Sequence, residues 1–462
     1  MQHPAQRLHE GQVHRQPRDV TELVGAEPPV CVVVHQLGLP RHQPAQVDAQ
    51  HGRLTDREVA PETAPDLDLD PELFTELAPE RLLVGLTGLD LAPWELPEAR
   101  QAGRFGAPRR EHRALADQRR PDDPHQPHGR QTRAVHPLLA AQAAQAEALL
   151  PEDVLRYYAG GAGEQVSLHE AAGAWSAVRL RPRVLRDVSR IDTSVELFGS
   201  RLATPVLVGP TAAHGLAAPE GELATARGTA AAGSLLVLST RASREIEDVP
   251  AGPWWFQAYV MRDREQTLAL ARRAVSAGAG AIVLTGDVPY LGKRHGKTRL
   301  DLLGPPAPGT QQDPSAGLEA IDQLIEATGL PVLVKGVLRG DDAVACLEAG
   351  AAGVVVSNHG GRQLDRALPS AHALPEVVAA VGGAAPVLVD GGLRCGLDVL
   401  CALALGADAV LLGRPALWAL AAGGADGVES CLRAMTDDLA HAMGLAGARS
   451  LAEITHDLVH LP

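Results

Sequence analysis

The chain is poor in lysine, in aromatic residues and in long apolar runs. Lys293, Lys297 and Lys335 are the only lysines among 42 Lys and Arg residues. Arginine is the default cation here, so an arginine count by itself points to no partner. Aromatics make up 3% of 462 residues, and the core has to be built mainly from aliphatic side chains. A hydrophobic content of 45% is enough for a large one. No run of 18 apolar residues exists, which excludes a transmembrane helix and gives no reason to expect a membrane partner. The N-terminus also lacks the apolar region of a signal peptide. A net charge of -14 argues against a nucleic-acid partner and favours plain solubility. Cys31, Cys346, Cys395, Cys401 and Cys431 contain no C-x-x-C pair. Three of them fall in expected helices, where a buried free thiol is ordinary. A reducing, cytoplasmic setting is the resulting expectation.

Two units are expected, residues 1–136 and 137–462. The first has no lysine and no tyrosine, yet holds ten of the 18 histidines, scattered without metal-ligand spacing. Its apolar periodicity is poor apart from a possible helix at Pro71 to Leu83 and the run Val30 to Val34. Such composition rarely buries enough surface to offset chain entropy, so a low-order extension is expected. A partner-recruiting arm is the alternative. No methionine lies between Met1 and Met261, so a native start near Val135 would need an alternative codon.

From Leu138 the character changes. Leu138 to Leu150 reads as an Ala-rich helix. Pro151-Glu152-Asp153 suits the first turn of the next one, with acids at its positive end. That helix carries Tyr157 and Tyr158 and stops at Gly160-Gly161. Gly199-Ser200, flanked by Ser194 to Leu197 and Leu202, reads as a small hairpin. Eight apolar runs follow, at Pro205–Gly209, Leu235–Ser239, Trp254–Tyr259, Ala281–Thr285, Pro331–Lys335, Gly353–Ser357, Pro386–Asp390 and Ala409–Gly413. Helical stretches separate most of them, among them Arg264 to Ala277 with Leu268, Ala271 and Val275 inward. Another is Asp341 to Ala349, with Val344 and Leu347 inward. Eight continuous apolar runs, each followed by a loop and mostly by a helix, predict an α/β fold of the (β/α)8 TIM barrel type. An open doubly wound sheet is the alternative.

In such a barrel the chemistry sits where the strands end. Those ends read Pro210-Thr211-Ala212, Ser239-Thr240, Gln257 and Tyr259, Thr285 and Asp287, Lys335, Ser357 and His359, Asp390-Gly391-Gly392, and Gly413-Arg414. The densest is Ser357-Asn358-His359-Gly360-Gly361-Arg362-Gln363. His359 can move a proton near neutral pH. Arg362 offers a planar fork to a carboxylate. Gly360 and Gly361 let the backbone approach a flat ligand. Asp390-Gly391-Gly392-Leu393-Arg394 and Gly413-Arg414-Pro415 fall after strands seven and eight, where barrels often hold phosphate. Lys335 closes an apolar strand, which is costly without a partner.

All seven residues from Ser357 to Gln363 agree with the signature of the FMN-dependent 2-hydroxy acid oxidases and dehydrogenases, the glycolate oxidase and lactate oxidase type. The resemblance runs from about Leu149 to Leu451. It implies FMN as cofactor, a small 2-hydroxy acid as substrate, and oxygen or another carrier as electron acceptor. It also implies a homo-oligomer, commonly a tetramer. By this resemblance Pro210, Thr211, Ala212, Ser239, Gln257 and Thr285 would hold the isoalloxazine ring and ribityl chain, with Ser357 beside them. Asp390 would take a ribityl hydroxyl. Gly391, Gly392, Arg394, Gly413 and Arg414 would hold the phosphate. Lys335 would meet the charged edge of the reduced ring, with a rim carboxylate as its other possible partner. Arg294 and Arg362 would clamp the substrate carboxylate, and Tyr157 and Tyr259 would add hydroxyl bonds. His359 would take the proton, with Asp287 behind it. Whether the electrons leave as hydride or by a carbanion stays open.

Three places depart from the family pattern. Arg241 stands where an aromatic or apolar residue is usual, and facing inward it would favour a polar or acidic substrate tail. His295 to Gly317 is short for a lid. Ala218-Pro219-Glu220-Gly221-Glu222 replaces a His-Pro start and reads as a packing change. An FMN isomerase of the isopentenyl diphosphate type shares D-G-G-x-R but should lack the His359/Arg362 pair. A flavin-binding barrel without turnover is the rival from another class.

Overall fold

The computed structural model describes residues 135–249, 252–295, 302, 304 and 307–461. The expected extension up to residue 134, its Pro71 to Leu83 helix, the Val30 to Val34 run and Cys31 lie outside them.

Eight parallel strands close into a barrel. They are β1 (Val206–Val208), β2 (Leu236–Ser239), β3 (Trp254–Ala258), β4 (Ile282–Thr285), β5 (Val332–Val337), β6 (Gly353–Val356), β7 (Val387–Asp390) and β8 (Ala409–Leu412). All eight expected runs are strands, mostly trimmed by a residue at an end. Neighbours in sequence are neighbours in space, and β8 pairs β1 with Val410 opposite Val206. The strands read as unbroken apolar runs because both faces are buried. Leu207, Val237, Trp255, Val283, Leu333, Val355, Leu388 and Leu411 form the inner core. Their neighbours Val208, Leu238, Phe256, Leu284, Val354 and Val410 face the helices.

The floor is closed by an antiparallel hairpin, Val195–Leu197 with Ser200–Leu202. Its turn is Phe198-Gly199, not Gly199-Ser200. Both residues have positive φ, 47° and 77°, which a two-residue hairpin turn demands. Phe198 then packs edge-on against Trp255, 5.6 Å between centroids. A second short pairing, Arg179–Leu180 with Val459–His460, was not foreseen.

Ten helices are used below: α1 (Pro137–Leu149), α2 (Glu152–Ala159), α3 (Val166–Ala177), α4 (Glu222–Ala231), α5 (Arg264–Ser276), α6 (Glu319–Thr328), α7 (Gly340–Glu348), α8 (Ser370–Val381), α9 (Gly396–Ala404) and α10 (Arg414–Ala446). Pro151 caps α2 from outside the helix. In α7 the inward face is Ala343 and Cys346, while Val344 is exposed and Leu347 half-buried. In α5 the buried residues are Thr267, Ala271 and Ala274, with Leu268 and Val275 only half-buried. In both cases small side chains let the helix lie close to the sheet, and that closeness sets which residue points in. Cys346, Cys395, Cys401 and Cys431 are buried free thiols, one more than the three expected in helices. Among the described residues no helix is long and apolar enough to cross a membrane.

Candidate active site

Strand β5 does not end at Lys335. It passes through Gly336 to Val337, with a register shift between Lys335 and Val337. Gly336 has φ 110°, and a Cβ there would lie 2.5 Å from the Asp287 Cβ. Glycine therefore lets the bulged strand slide past Asp287, and the bulge aims Lys335. Its ammonium lies 2.7 Å from Asp390 Oδ2 and donates to Ser357 Oγ at 2.7 Å. The carboxylate partner weighed from sequence is thus present. The Asp390 Oδ1 atom is buried without a partner.

The loop after β6 bends sharply at His359, whose φ is 57°. A non-glycine residue there costs about 1 kcal/mol or more. Ser357 Oγ accepts from the His359 N–H at 3.0 Å, and Asn358 Oδ1 accepts from Gly361 N–H at 3.1 Å. These bonds hold the bend. His359 Nδ1 meets Asp287 Oδ1 at 3.0 Å, which leaves Nε2 as the ring nitrogen for other work. Burial alone would raise the Asp287 carboxyl, but the charges of His359 and Lys335 outweigh it and hold it low. Its Oδ2 is buried and unpartnered.

Opposite lie two guanidiniums over one ring. Arg362 sits 5.3 Å and Arg294 6.0 Å from the Tyr157 centroid. One Arg362 nitrogen donates to the carbonyls of Tyr157, Tyr158 and Gly160, each at 2.9 Å. Burial, then the like charge of Arg294, lowers Arg362 to about 10. Burial also lowers Arg294, whose Nε has no partner. No carboxylate is among the described groups that perturb either one. Two desolvated cations with no counter-ion among the described residues make an anion site. Tyr259 is pushed up to about 12 by burial and then by Asp287, so it keeps its hydroxyl proton as a donor.

The β7 and β8 ends are built differently. Gly391 and Gly392 have φ near 90°, at 89° and 88°. A Cβ on Gly392 would lie 2.3 Å from the Ala171 carbonyl of α3, so only glycine fits. Trp175 Nε1 donates to the Gly391 carbonyl at 2.7 Å. Asp398 at the start of α9 accepts from Arg394 N–H at 2.7 Å and shapes the turn. Gly413 precedes α10, whose first-turn N–H groups face outward as a helix start does. Arg414 is half-buried, and its three nitrogens donate to the carbonyls of Tyr158, Gly360 and Gly160 at 3.0, 3.0 and 3.2 Å. It is a brace between α2 and the β6 loop as well as a charge. Burial, then Arg362, lowers it to about 9.

Across β2, β3 and β4 a polar line runs along the rim. Ser239 Oγ donates to Gln257 Oε1 at 3.2 Å, and Gln257 Nε2 to Thr285 Oγ1 at 3.0 Å. All these ends open on one cavity of about 660 Å³. Every residue expected at the site lines it except two. Ser357 is fully buried behind Lys335, and Asp287 stands behind His359. Both orient a neighbour, and neither lines the cavity. Arg241 also lines the cavity, and its guanidinium donates to the Thr310 carbonyl. Part of the expected lid, residues 296–301, 303, 305 and 306, lies outside the described residues.

The reading from sequence missed Tyr158, Gln312 and the buried pair His214 and Glu222. Tyr158 and Gln312 line the cavity. Glu222 is 1% exposed and accepts from His214 N–H and Ser243 N–H, each at 2.9 Å. In sequence it was one acid at a helix start, with nothing to mark it as buried.

Among the described residues, an unpaired carboxylate oxygen, a glycine cradle and an arginine pair without counter-ion are the features that a ribityl hydroxyl, a phosphate and a substrate carboxylate require. FMN fits them. The model of the FMN-dependent dehydrogenase family matches residues 146–312 and 307–461. An L-lactate oxidase from Nostoc sp. is 42% identical over 338 residues, 66% of this chain and 93% of the relative. A 4-hydroxymandelate oxidase from Amycolatopsis orientalis is 43% identical over 329 residues, 66% and 92% of the two chains. A solved mandelate oxidase with (S)-2-phenylpropionate superposes with a TM-score of 0.65 at 43% identity, covering 70% of this chain and 98% of that one. With barrel, cradle and matching sequence in agreement, the chain belongs to the FMN-dependent dehydrogenase family, flavoenzymes that oxidise the CH–OH group of 2-hydroxy acids.

Proposed function

We propose that the chain oxidises a 2-hydroxy acid to the 2-oxo acid and passes the two electrons to dioxygen, giving hydrogen peroxide. The observation that carries it is the His359–Asp287 pair facing Arg294 and Arg362, which have no counter-ion among the described residues, across one cavity. The arginines take the carboxylate, with Tyr157 between them. Tyr259 donates its hydroxyl to the α-oxygen. His359 Nε2 takes the hydroxyl proton, and Asp287 stabilises the imidazolium through Nδ1. Bound FMN supplies the two-electron acceptor for the carbon–hydrogen bond. Lys335, Ser239, Gln257, Thr285 and the Pro210–Ala212 turn hold its ring, Asp390 its ribityl chain, and Gly391, Gly392, Arg394, Gly413 and Arg414 its phosphate. Ser357 serves by fixing Lys335.

Arg241 on the cavity wall supports a polar or acidic substrate tail over an alkyl one. Four free buried thiols support a reducing, cytoplasmic setting. A homotetramer completes the reading, and light scattering on the eluted protein checks it. The deciding experiment mixes the yellow protein with a panel of 2-hydroxy acids without oxygen and follows flavin bleaching. Bleaching by one acid, reversed by air with peroxide formed, supports the reading. A yellow protein that no acid bleaches overturns it in favour of a barrel without this turnover.

A further inference from the structure

A buried polar cluster lies behind the β1 loop, outside the cavity. His214 is 2% exposed and Glu222 1%, and neither meets the space where substrate would lie. The His214 ring is held at both nitrogens. Nδ1 lies 2.8 Å from Thr225 Oγ1, and Nε2 lies 2.5 Å from Thr211 Oγ1. Thr211 lines the cavity. The ring thus links helix α4 to that hydroxyl.

The direction of each bond follows from proton accounting. Thr225 donates its own hydroxyl proton to the Gly221 carbonyl at 3.3 Å. With that proton on the carbonyl, its oxygen accepts from His214 and Nδ1 carries the ring proton. Burial holds the imidazole below its ordinary value, against the pull of Glu222 and of a main-chain bond to Thr211, and so favours the neutral ring. A neutral ring protonated at Nδ1 has a lone pair at Nε2. Thr211 must donate to it, and its proton is turned away from the cavity.

The rest of the cluster keeps this arrangement from relaxing. Glu222 accepts from His214 N–H, Ser243 N–H and Ser243 Oγ at 2.9, 2.9 and 2.6 Å. Between Thr211 and His214, Ala213 has φ 59°, a left-handed conformation that alanine rarely takes. Its N–H donates to the Arg241 carbonyl at 2.9 Å, and its own carbonyl accepts from Tyr158. Strain at Ala213 is tolerated because both sides are tied down.

We propose that His214 is a positioning residue for the flavin: by accepting the Thr211 hydroxyl proton at Nε2, it makes Thr211 an acceptor, and never a donor, toward the cofactor. The proposal rests on the reading that FMN lies against Thr211. It assigns to His214 and Thr225 a part in cofactor recognition although neither lines the cavity.

The test uses FMN-loaded full-length protein and reads the flavin absorption envelope and the FMN dissociation constant. Thr211→Val should weaken FMN about fivefold, the worth of one hydrogen bond. Thr225→Val is nearly isosteric. It removes the acceptor at Nδ1, moves the ring proton to Nε2 and releases the Thr211 proton into the cavity. It should change affinity by a similar factor and alter the absorption envelope. His214→Gln, whose amide oxygen can accept from Thr211, should restore more of the wild-type affinity than His214→Leu. Placed in the Thr211→Val background, Thr225→Val should leave the flavin unmoved. An equal shift in both backgrounds, or a fall in melting temperature with the flavin unmoved in either, makes the cluster a mere brace and overturns the proposal. No flavin change with Thr211→Val would instead overturn the reading that FMN lies against Thr211.

Discussion

Over β4 to β6 the rim is made of charged side chains: Asp287 with His359, Lys335 reaching across to Asp390 at the end of β7, and two arginines over Tyr157. Over β7 and β8 it is made largely of main chain, with Gly391 and Gly392 at positive φ and the start of α10 behind Gly413. The first half holds its groups ready through opposing charges and buried atoms left without partners. The second holds a shape through backbone conformations that a side chain would block. Chemistry that moves a proton needs groups whose charge can change, so the first half should be sensitive to side-chain identity. Holding a phosphate needs close-lying N–H groups, so the second should be sensitive to added volume.

The widest separation between the halves should come from His359→Gln. Flavin bleaching by substrate should slow by roughly a hundred- to ten-thousandfold, the usual worth of a general base, while FMN stays bound. Anaerobic stopped-flow with a parallel flavin count checks both parts. A variant that bleaches at the wild-type rate breaks the comparison. Gly392→Ala should do the reverse. Its Cβ would meet the Ala171 carbonyl at 2.3 Å, so the cradle must open. The protein should purify largely colourless and melt lower, and full FMN occupancy would show that backbone shape is not what holds the phosphate.

Arg362→Lys should be milder and confined to substrate. A lysine keeps the charge but loses the planar fork, so KM should rise on the order of tenfold or more with FMN affinity unchanged. The smallest effect concerns acid. The Asp287 carboxyl is held low, so its pairing stabilises the fold above its unfolded value of about 4. That contribution is lost as pH falls through the lower folded value. The melting-temperature gap between wild type and Asp287→Asn should hold steady from neutral pH down to about 5 and close at more acid pH. A gap that closes above pH 5 would mean Asp287 is not held low.

Much of this was legible in order along the chain. Strand runs such as Ala281–Thr285 and Gly353–Ser357 betray themselves because a strand buried on both faces is apolar throughout. A parallel barrel then puts every strand end on one rim, so the polar residues that follow the runs mark the site. Phase was less legible. The one-residue rotation that exposes Val344 and buries Cys346 depends on how close α7 lies to the sheet, and no local pattern encodes that distance. Burial of isolated polar residues was not legible at all, as His214 and Glu222 show.

By itself the sequence determined the eight strands, the set of residue types on the rim and the chemistry those types permit. Periodicity and strand–loop alternation are local properties, and they survive being read one residue at a time. Only the tertiary structure decided which rim residues meet each other and which face the cavity. Lys335 found Asp390, Ser357 withdrew behind it, Asp287 stood behind His359, and Arg414 spent its donors on three carbonyls. Those outcomes depend on a bulge at Gly336 and on contacts between segments up to 256 residues apart. They depend on distances in space, and separation along the chain carries no information about those.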